Sequence, residues 1–507
     1  MHSVVTTAAG EVRGEVTDGV ARYLGIPYAA APFGEHRFRA PSPVPSWDGI
    51  RDALEHGPTA PAPGYPAPFT DMLPAVHIPG EEILNLSVWA PEGAVPGLRG
   101  KEHVGAVPGL RGREHVGARP VMVWIHGGAF VNGSSSLPSY DGTAFARDGV
   151  VLVGVNYRLG IEGFLHLPGA DPNRGLLDQV AALTWVRDNI AAFGGDAGNV
   201  TVFGESAGAM SVGALLAMPA ARGLFRRAIL QSGAAHHAIS AATATRVGGY
   251  AAQIIGVEAT SEALAAFTPE RLLEVQKALS ADAATRPDPA RWGEIAANGM
   301  VFEPVVDGEV LARLPIEAVA AGASADVEIM VGSNRDEHRL FLVPAGTDRS
   351  ATEPMLAGLA AAYRLPDGAL DRYRAVAPGA SPGIVLADVM TDWFFRIPAI
   401  RLAEAHGAHV YEFDWASTAL EGRLGACHAL ELGFVFDTLA AAGGLTGGAA
   451  PQGLADAMHR AWVAFATSGD PGWEPYGERR HVQRFGEHTE AVTDPRGDIR
   501  ELWAGIR

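Results

Sequence analysis

The sequence predicts an α/β protein built on one large, mostly parallel central sheet flanked by helices, and three observations carry that prediction. Two apolar runs, Val121-Met122-Val123-Trp124-Ile125 and Val150-Val151-Leu152-Val153-Gly154-Val155, are too continuous to be half-exposed. They read as central strands buried on both faces. Strand and helix patterns then alternate: a helical stretch over 177–190, a strand over 200–203, a small-residue helix over 209–216 and a strand over 227–231. Such alternation calls for parallel strands joined by crossover helices. Between the strand at 200–203 and the helix at 209–216 stands Gly204-Glu205-Ser206-Ala207-Gly208, whose glycines two residues either side of the serine permit a sharp strand-to-helix turn.

The remaining elements follow in order. Segments 21–28 and 83–89 read as early antiparallel strands, and 326–331 and 408–413 resume the sheet after an alanine-rich helical stretch. That stretch, about 240–300, is interrupted by Pro287 and Pro289 and reads as a helical insertion over the active site. Segment 454–467 predicts a C-terminal amphipathic helix. No linker-like composition divides the chain, so residues 1–507 are expected to form a single domain. A 12-residue unit beginning at Gly93 is repeated from Gly105, with Arg113 replacing Lys101, so that 93–116 is a tandem duplication. Two copies are too few for a solenoid, and this glycine- and proline-rich unit reads as a lengthened loop between strands.

Composition narrows the function. Hydrophobic residues make up 48% of the 507 and charged residues 19%, a globular balance. The net charge of −18 disfavours nucleic acid and anionic membrane surfaces, which demand clustered Lys and Arg. No apolar run approaches the length of a membrane span, and the N-terminus lacks a secretory signal, so a soluble, cytoplasmic protein is expected, monomeric or weakly self-associating. A single cysteine, Cys427, excludes an intramolecular disulfide and reads as a packed, inert thiol despite its neighbour His428.

The glycine-flanked turn makes Ser206 a nucleophile, and Ala207, opening the helix, offers a free backbone N–H to an oxyanion. A serine needs a histidine base, an acid to orient it and further oxyanion donors. His126-Gly127-Gly128-Ala129-Phe130 follows a buried strand, and its glycines let backbone N–H groups face a substrate oxygen. Asp336 and Glu337, just past a late strand, both qualify as the acid by spacing. Of seventeen histidines, His428 stands out because it lies in a loop past the strand ending near Trp415, where the order serine, acid, histidine places the base.

These motifs, together with Gly25-Ile26-Pro27-Tyr28-Ala29, Asn156-Tyr157-Arg158-Leu159-Gly160, Asp178-Gln179, Phe193-Gly194-Gly195-Asp196 and Gln231-Ser232-Gly233, match one family along nearly the whole chain. The chain resembles the type-B carboxylesterases, the α/β-hydrolase group that includes cholinesterases and bacterial para-nitrobenzyl esterases. The resemblance implies an α/β-hydrolase fold with Ser206 as nucleophile, Glu337 rather than Asp336 as acid, and His428 as base. It also implies oxyanion donors at Gly128, Ala129 and Ala207, with Glu205 and Ser232 supporting the site from behind.

Three departures qualify the match. Glu81-Glu82-Ile83-Leu84 stands where the family usually opens a disulfide loop, His338 replaces the glycine that usually follows the acid, and Leu340 precedes Phe341 where an aromatic pair is usual. With Tyr65 and Phe69 but no tryptophan in the 60–74 loop, a choline ester is not the expected substrate. The expected function is hydrolysis of small-molecule carboxylic esters through an acyl-enzyme, with no metal or organic cofactor. The alternatives are an amide, carbamate or thioester hydrolase using the same triad, or a non-catalytic cholinesterase-like binding protein.

Overall fold

A computed structural model describes residues 1–96, 117–448 and 450–506. All but the first four residues of the duplicated 93–116 segment therefore lie outside the described residues. The strands are β1 (His2–Thr6), β2 (Glu11–Thr17), β3 (Val20–Pro27), β4 (Ile50–Asp52), β5 (Asn85–Pro91), β6 (Arg119–Ile125), β7 (Val151–Val155), β8 (Gly195–Glu205) and β9 (Arg227–Gln231). A short parallel pair, β10 (Ile239–Ser240) and β11 (Val305–Val306), stands apart. Then come β12 (Glu328–Asn334), β13 (His409–Phe413), β14 (His481–Phe485) and β15 (Glu490–Thr493).

Thirteen strands form one sheet in the order β1-β2-β3-β5-β7-β6-β8-β9-β12-β13-β14-β15, with β4 beside β2. From β7 to β14 every neighbouring pair is parallel, and the antiparallel pairs lie toward the two edges. Side chains alternate across a strand, so a strand buried on both faces feeds two cores. In β6, Val121, Val123 and Ile125 pack into one hydrophobic cluster while Met122 and Trp124 pack into the other. The same division separates Ala228 and Leu230 from Ile229 in β9, and Ile329 and Val331 from Met330 in β12.

The central strands and the 174–189 helix lie where the apolar runs place them, with ends shifted by a few residues. β8 reaches back to Gly195 and β12 runs on to Asn334, because pairing with neighbouring strands extends an element past its apolar stretch. The alanine-rich stretch forms five helices: Ala241–Ile255, Ser261–Ala265, Pro269–Thr285, Pro289–Trp292 and Ile295–Asn298. Among the described residues, no helix is long and apolar enough to cross a membrane.

Between Pro382–Thr391 and Ile397–His406 the chain forms a π turn over Asp392–Arg396. The extra residue in such a turn re-aims side chains, and π turns gather at functional sites. Here Phe395 is set 4.8 Å from the His428 ring and Phe394 4.9 Å from His338.

Candidate active site

β8 ends at Glu205 and the next helix runs from Ala207 to Ala217, leaving Ser206 alone at the bend with φ 55° and ψ −124°. Such a conformation is strained for a residue with a Cβ and persists only where its surroundings over-determine it. The determinants are visible. A side chain on Gly208 would collide with the carbonyl of Ile125, and one on Gly204 would collide with the backbone of Gly208. Glycine is what allows helix, β8 and β6 to meet. Ser206 N–H donates to Gln231 O at 2.9 Å, tying the bend to the end of β9.

Beyond β6, Gly128 and Ala129 take positive φ values, 117° and 53°. The turn is closed by Val131 and Asn132 N–H groups, which both donate to Gly128 O. His126 braces it from below: its Nδ1 lies 2.8 Å from Gly127 O and its ring stacks on Tyr157 at 4.6 Å, while the Tyr157 hydroxyl donates to His126 O. Burial pulls the His126 pKa down to about 4, only partly opposed by the Gly127 contact, so the ring is neutral at physiological pH. The N–H groups of Gly128, Ala129 and Ala207 have no protein acceptor among the described residues. Gly127, Gly128 and Ala129 share the wall of one pocket with Ser206, Glu205 and His428.

The two carboxylates past β12 take different paths. Glu337 is fully buried; its Oε2 lies 2.6 Å from His428 Nδ1 and its Oε1 accepts from Asn334 N–H at 2.8 Å. Asp336 turns away, accepting from Ala426 N–H at 2.9 Å and pairing with Arg339 at 2.9 Å and Arg335 at 3.0 Å. The histidine loop is laced to the acid loop by its backbone: His428 N–H donates to Glu337 O, and Asn334 Nδ2 donates to Cys427 O at 2.7 Å.

His428 Nε2 lies 2.9 Å from Glu205 Oε1, at ion-pair distance but not aligned as a hydrogen bond. Burial alone would lower the His428 pKa; the charges of Glu205 and Glu337 outweigh it and raise the imidazole well above its ordinary value. Ser206 Oγ makes no hydrogen bond among the described residues, so serine and imidazole share the pocket without a direct bond between them.

Glu431 is a buried neighbour of the site that sequence reasoning missed. It is fully buried behind Glu205 and Glu337, held by Asn334 Nδ2 at 2.6 Å and Gln231 Nε2 at 3.2 Å, and Gln231 in turn accepts from Trp462 Nε1 at 2.9 Å. Burial, with repulsion from the other two glutamates, pushes its pKa up to about 8. The signal was a lone carboxylate inside the apolar run 429–436. Ser232, by contrast, is buried with φ 51°, and its hydroxyl has no hydrogen-bond partner among the described residues, so it is not joined to this network. Cys427 is buried, and burial pushes its thiol pKa well up.

The pocket encloses about 140 Å³. Its apolar walls come from Tyr65, Met72 and Leu73, from Leu340 and Phe341, and from Leu432 and Leu445. None comes from the 240–300 helices, which instead line a separate chamber. Composition identified those helices but not the face of the sheet region they cover.

Comparison with known proteins agrees with this architecture from end to end. A model of the carboxylesterase family matches residues 1–493. The para-nitrobenzyl esterase of Bacillus subtilis (strain 168) is 35% identical, over 99% of this chain and 98% of its own. The phenmedipham hydrolase of Pseudarthrobacter oxydans is 36% identical, over 92% and 90% respectively. Among solved structures, a PNB esterase superposes with a TM-score of 0.81 at 33% identity, covering 99% of both chains. A Geobacillus stearothermophilus carboxylesterase does so with a TM-score of 0.81 at 37% identity, again over 99% of both. With the family's sequence pattern matched almost throughout and its α/β-hydrolase fold reproduced, the chain belongs to the carboxylesterase family and is a carboxylic ester hydrolase.

Proposed function

We propose that the enzyme cleaves small-molecule carboxylic esters through an acyl-enzyme on a Ser206-His428-Glu337 triad. The observation that carries this reading is the 2.6 Å contact between His428 and Glu337 in the pocket that also holds Ser206 on its strained bend. Ser206 Oγ attacks the ester carbonyl as His428 Nε2 takes its proton, and the carbonyl oxygen becomes an oxyanion facing the N–H groups of Gly128, Ala129 and Ala207. Collapse breaks the bond to the alcohol, which leaves with the proton from His428. Water then attacks the acyl-enzyme by the same route, releasing the acid and restoring Ser206. Glu337 holds the ring with Nδ1–H toward itself and stabilises its cation. The missing Ser206 hydrogen bond fits a free enzyme, since such contacts often tighten only when substrate binds. Each of these roles is filled by a protein group, without a cofactor.

A pocket of about 140 Å³ is small beside the roughly 300–1,000 Å³ of drug-sized sites, and its walls are apolar. Across p-nitrophenyl esters of increasing acyl length, kcat/KM is expected to peak at short chains and fall at least about tenfold by dodecanoate. A maximum at the long end would overturn this view of the walls. Rates on matched amide and thioester substrates separate the ester reading from its alternatives.

The pH profile follows from the same geometry. Because the raised pKa keeps His428 protonated to higher pH, activity is lost as pH falls through a value above the ordinary ~6.5 of histidine. Glu205→Gln removes one of the two charges responsible, so the acid limb of kcat/KM should move down toward ~6.5. An unmoved or upward-shifted limb contradicts the assignment.

A further inference from the structure

A second chamber of about 1080 Å³ lies apart from the triad, lined by the helices of 241–298, the loop before Pro315 and the end of the Glu353–Ala362 helix. Its neighbour on one side is the π turn. Trp393 lines the chamber, while Phe395, two residues along the same turn, packs against His428. One turn of backbone thus carries both a wall of the chamber and a neighbour of His428.

The chamber wall is apolar for most of its extent, with Ile239, Val306, Leu314 and Ile506 among its residues. Its aromatic part is Trp393 stacked flat on Tyr363, the rings 4.2 Å apart and 8° from parallel. Three arginines also line it. Arg246 is half-buried and already donates to Thr243 Oγ1 at 3.0 Å. Arg313 and Arg364 are exposed at the rim, and neither has an ion-pair or hydrogen-bonding partner for its side chain among the described residues.

Two carboxylates share the wall. Glu294 is engaged by the Thr243 hydroxyl, which leaves Glu317 as the lining carboxylate without a hydrogen-bond or ion-pair partner among the described residues. Among the described Arg, Asp and Glu side chains of the lining, the uncommitted ones are thus two arginines and one glutamate, in a molecule whose overall charge is −18. Planar guanidinium groups suit carboxylate geometry, and an aromatic surface in the same wall suits an apolar body. Glu317 opposes a second negative charge on the ligand.

We propose that this chamber is a second ligand site, taking an apolar organic monocarboxylate with its tail against Trp393 and its carboxylate between Arg313 and Arg364. The site is independent of the triad assignment. Such an acid has two sources: the acyl half released by the enzyme's own ester hydrolysis, or an acid formed elsewhere.

The test titrates the full-length enzyme with 1-naphthoate, following tryptophan emission and, in parallel, equilibrium dialysis. Saturable binding is expected, at least tenfold tighter than for the neutral 1-naphthalenemethanol. The double variant Arg313→Ala/Arg364→Ala should weaken it tenfold or more while leaving kcat/KM on a small ester unchanged. Trp393→Phe should remove most of the emission change. Binding that is absent, equal for the neutral alcohol, indifferent to the arginine pair, or abolished by a phosphonate on Ser206 would overturn the proposal. The last outcome would put the probe in the catalytic pocket. If binding holds, product inhibition identifies the source. A non-competitive component from the enzyme's own acid product, lost in the double variant, marks the product as the ligand; purely competitive inhibition by that product, with 1-naphthoate binding intact, marks an outside acid.

Discussion

Ser206→Ala is expected to lower kcat for ester hydrolysis by about 10⁶ while leaving the protein folded. The change removes only Oγ, which makes no hydrogen bond among the described residues, and alanine keeps the Cβ that the strained φ of 55° already tolerates. Nothing that holds the bend is lost, because the Ser206 N–H to Gln231 O bond and the glycine contacts belong to the backbone. Thermal melting and the near-ultraviolet spectrum should therefore match the parent. A serine-directed phosphonate should label the parent at this residue and leave the variant unlabelled. Retention of a tenth of the parental turnover by the variant would remove Ser206 from the nucleophile's role.

The second large effect separates two neighbouring carboxylates. Glu337→Gln should cut kcat by about 10⁴, since an amide of the same shape leaves the imidazole in the wrong tautomer and its cation unsupported. Its stability should change less, because the amide oxygen still accepts from Asn334 N–H. Asp336→Asn should show the opposite pattern. Asp336 is 3% exposed and carries the pairing with Arg339 and Arg335 as well as the bond from Ala426 N–H. Breaking a buried pair by removing one partner costs up to about 3–5 kcal/mol, and the partial exposure of both arginines reduces that figure. The variant should melt earlier and keep most of its turnover. If Asp336→Asn is the slower enzyme, the acid has been misassigned.

That pair shows where sequence stops being informative. Asp336 and Glu337 occupy one turn, and spacing alone could not tell them apart; what separates them is the divergence of adjacent side chains, one toward His428 and one toward Ala426. The elbow was legible because its glycines answer a local demand, the approach of Gly204 and Gly208 to their neighbours. The central strands were legible because burial on both faces writes a continuous apolar run. Glu431 was not, since its role exists only once Gln231 and Asn334 arrive from distant strands. Of the pocket walls, Tyr65, Leu340 and Phe341 were marked by the family resemblance, whereas Leu73, Leu432 and Leu445 were not, since they lie in segments without a clear helical or strand period. The π turn was equally hidden, as Asp392-Trp393-Phe394-Phe395-Arg396 carries no mark distinguishing it from an ordinary helix.

β9 and β12 lie side by side, with Gln231 opposite Gly332, although the chain between them leaves the sheet, builds several helices and returns. β13 joins only after a further helical excursion. Ser206, Glu337 and His428, the proposed triad, are thus united by pairings that each close a very long loop, and such closures surrender chain entropy before any contact repays it. Helices form early because they answer only to their own neighbours. Ester turnover is for that reason a stricter gauge of completed folding than helix content, and a refolding sample that has regained its circular dichroism still has its chemistry to gain.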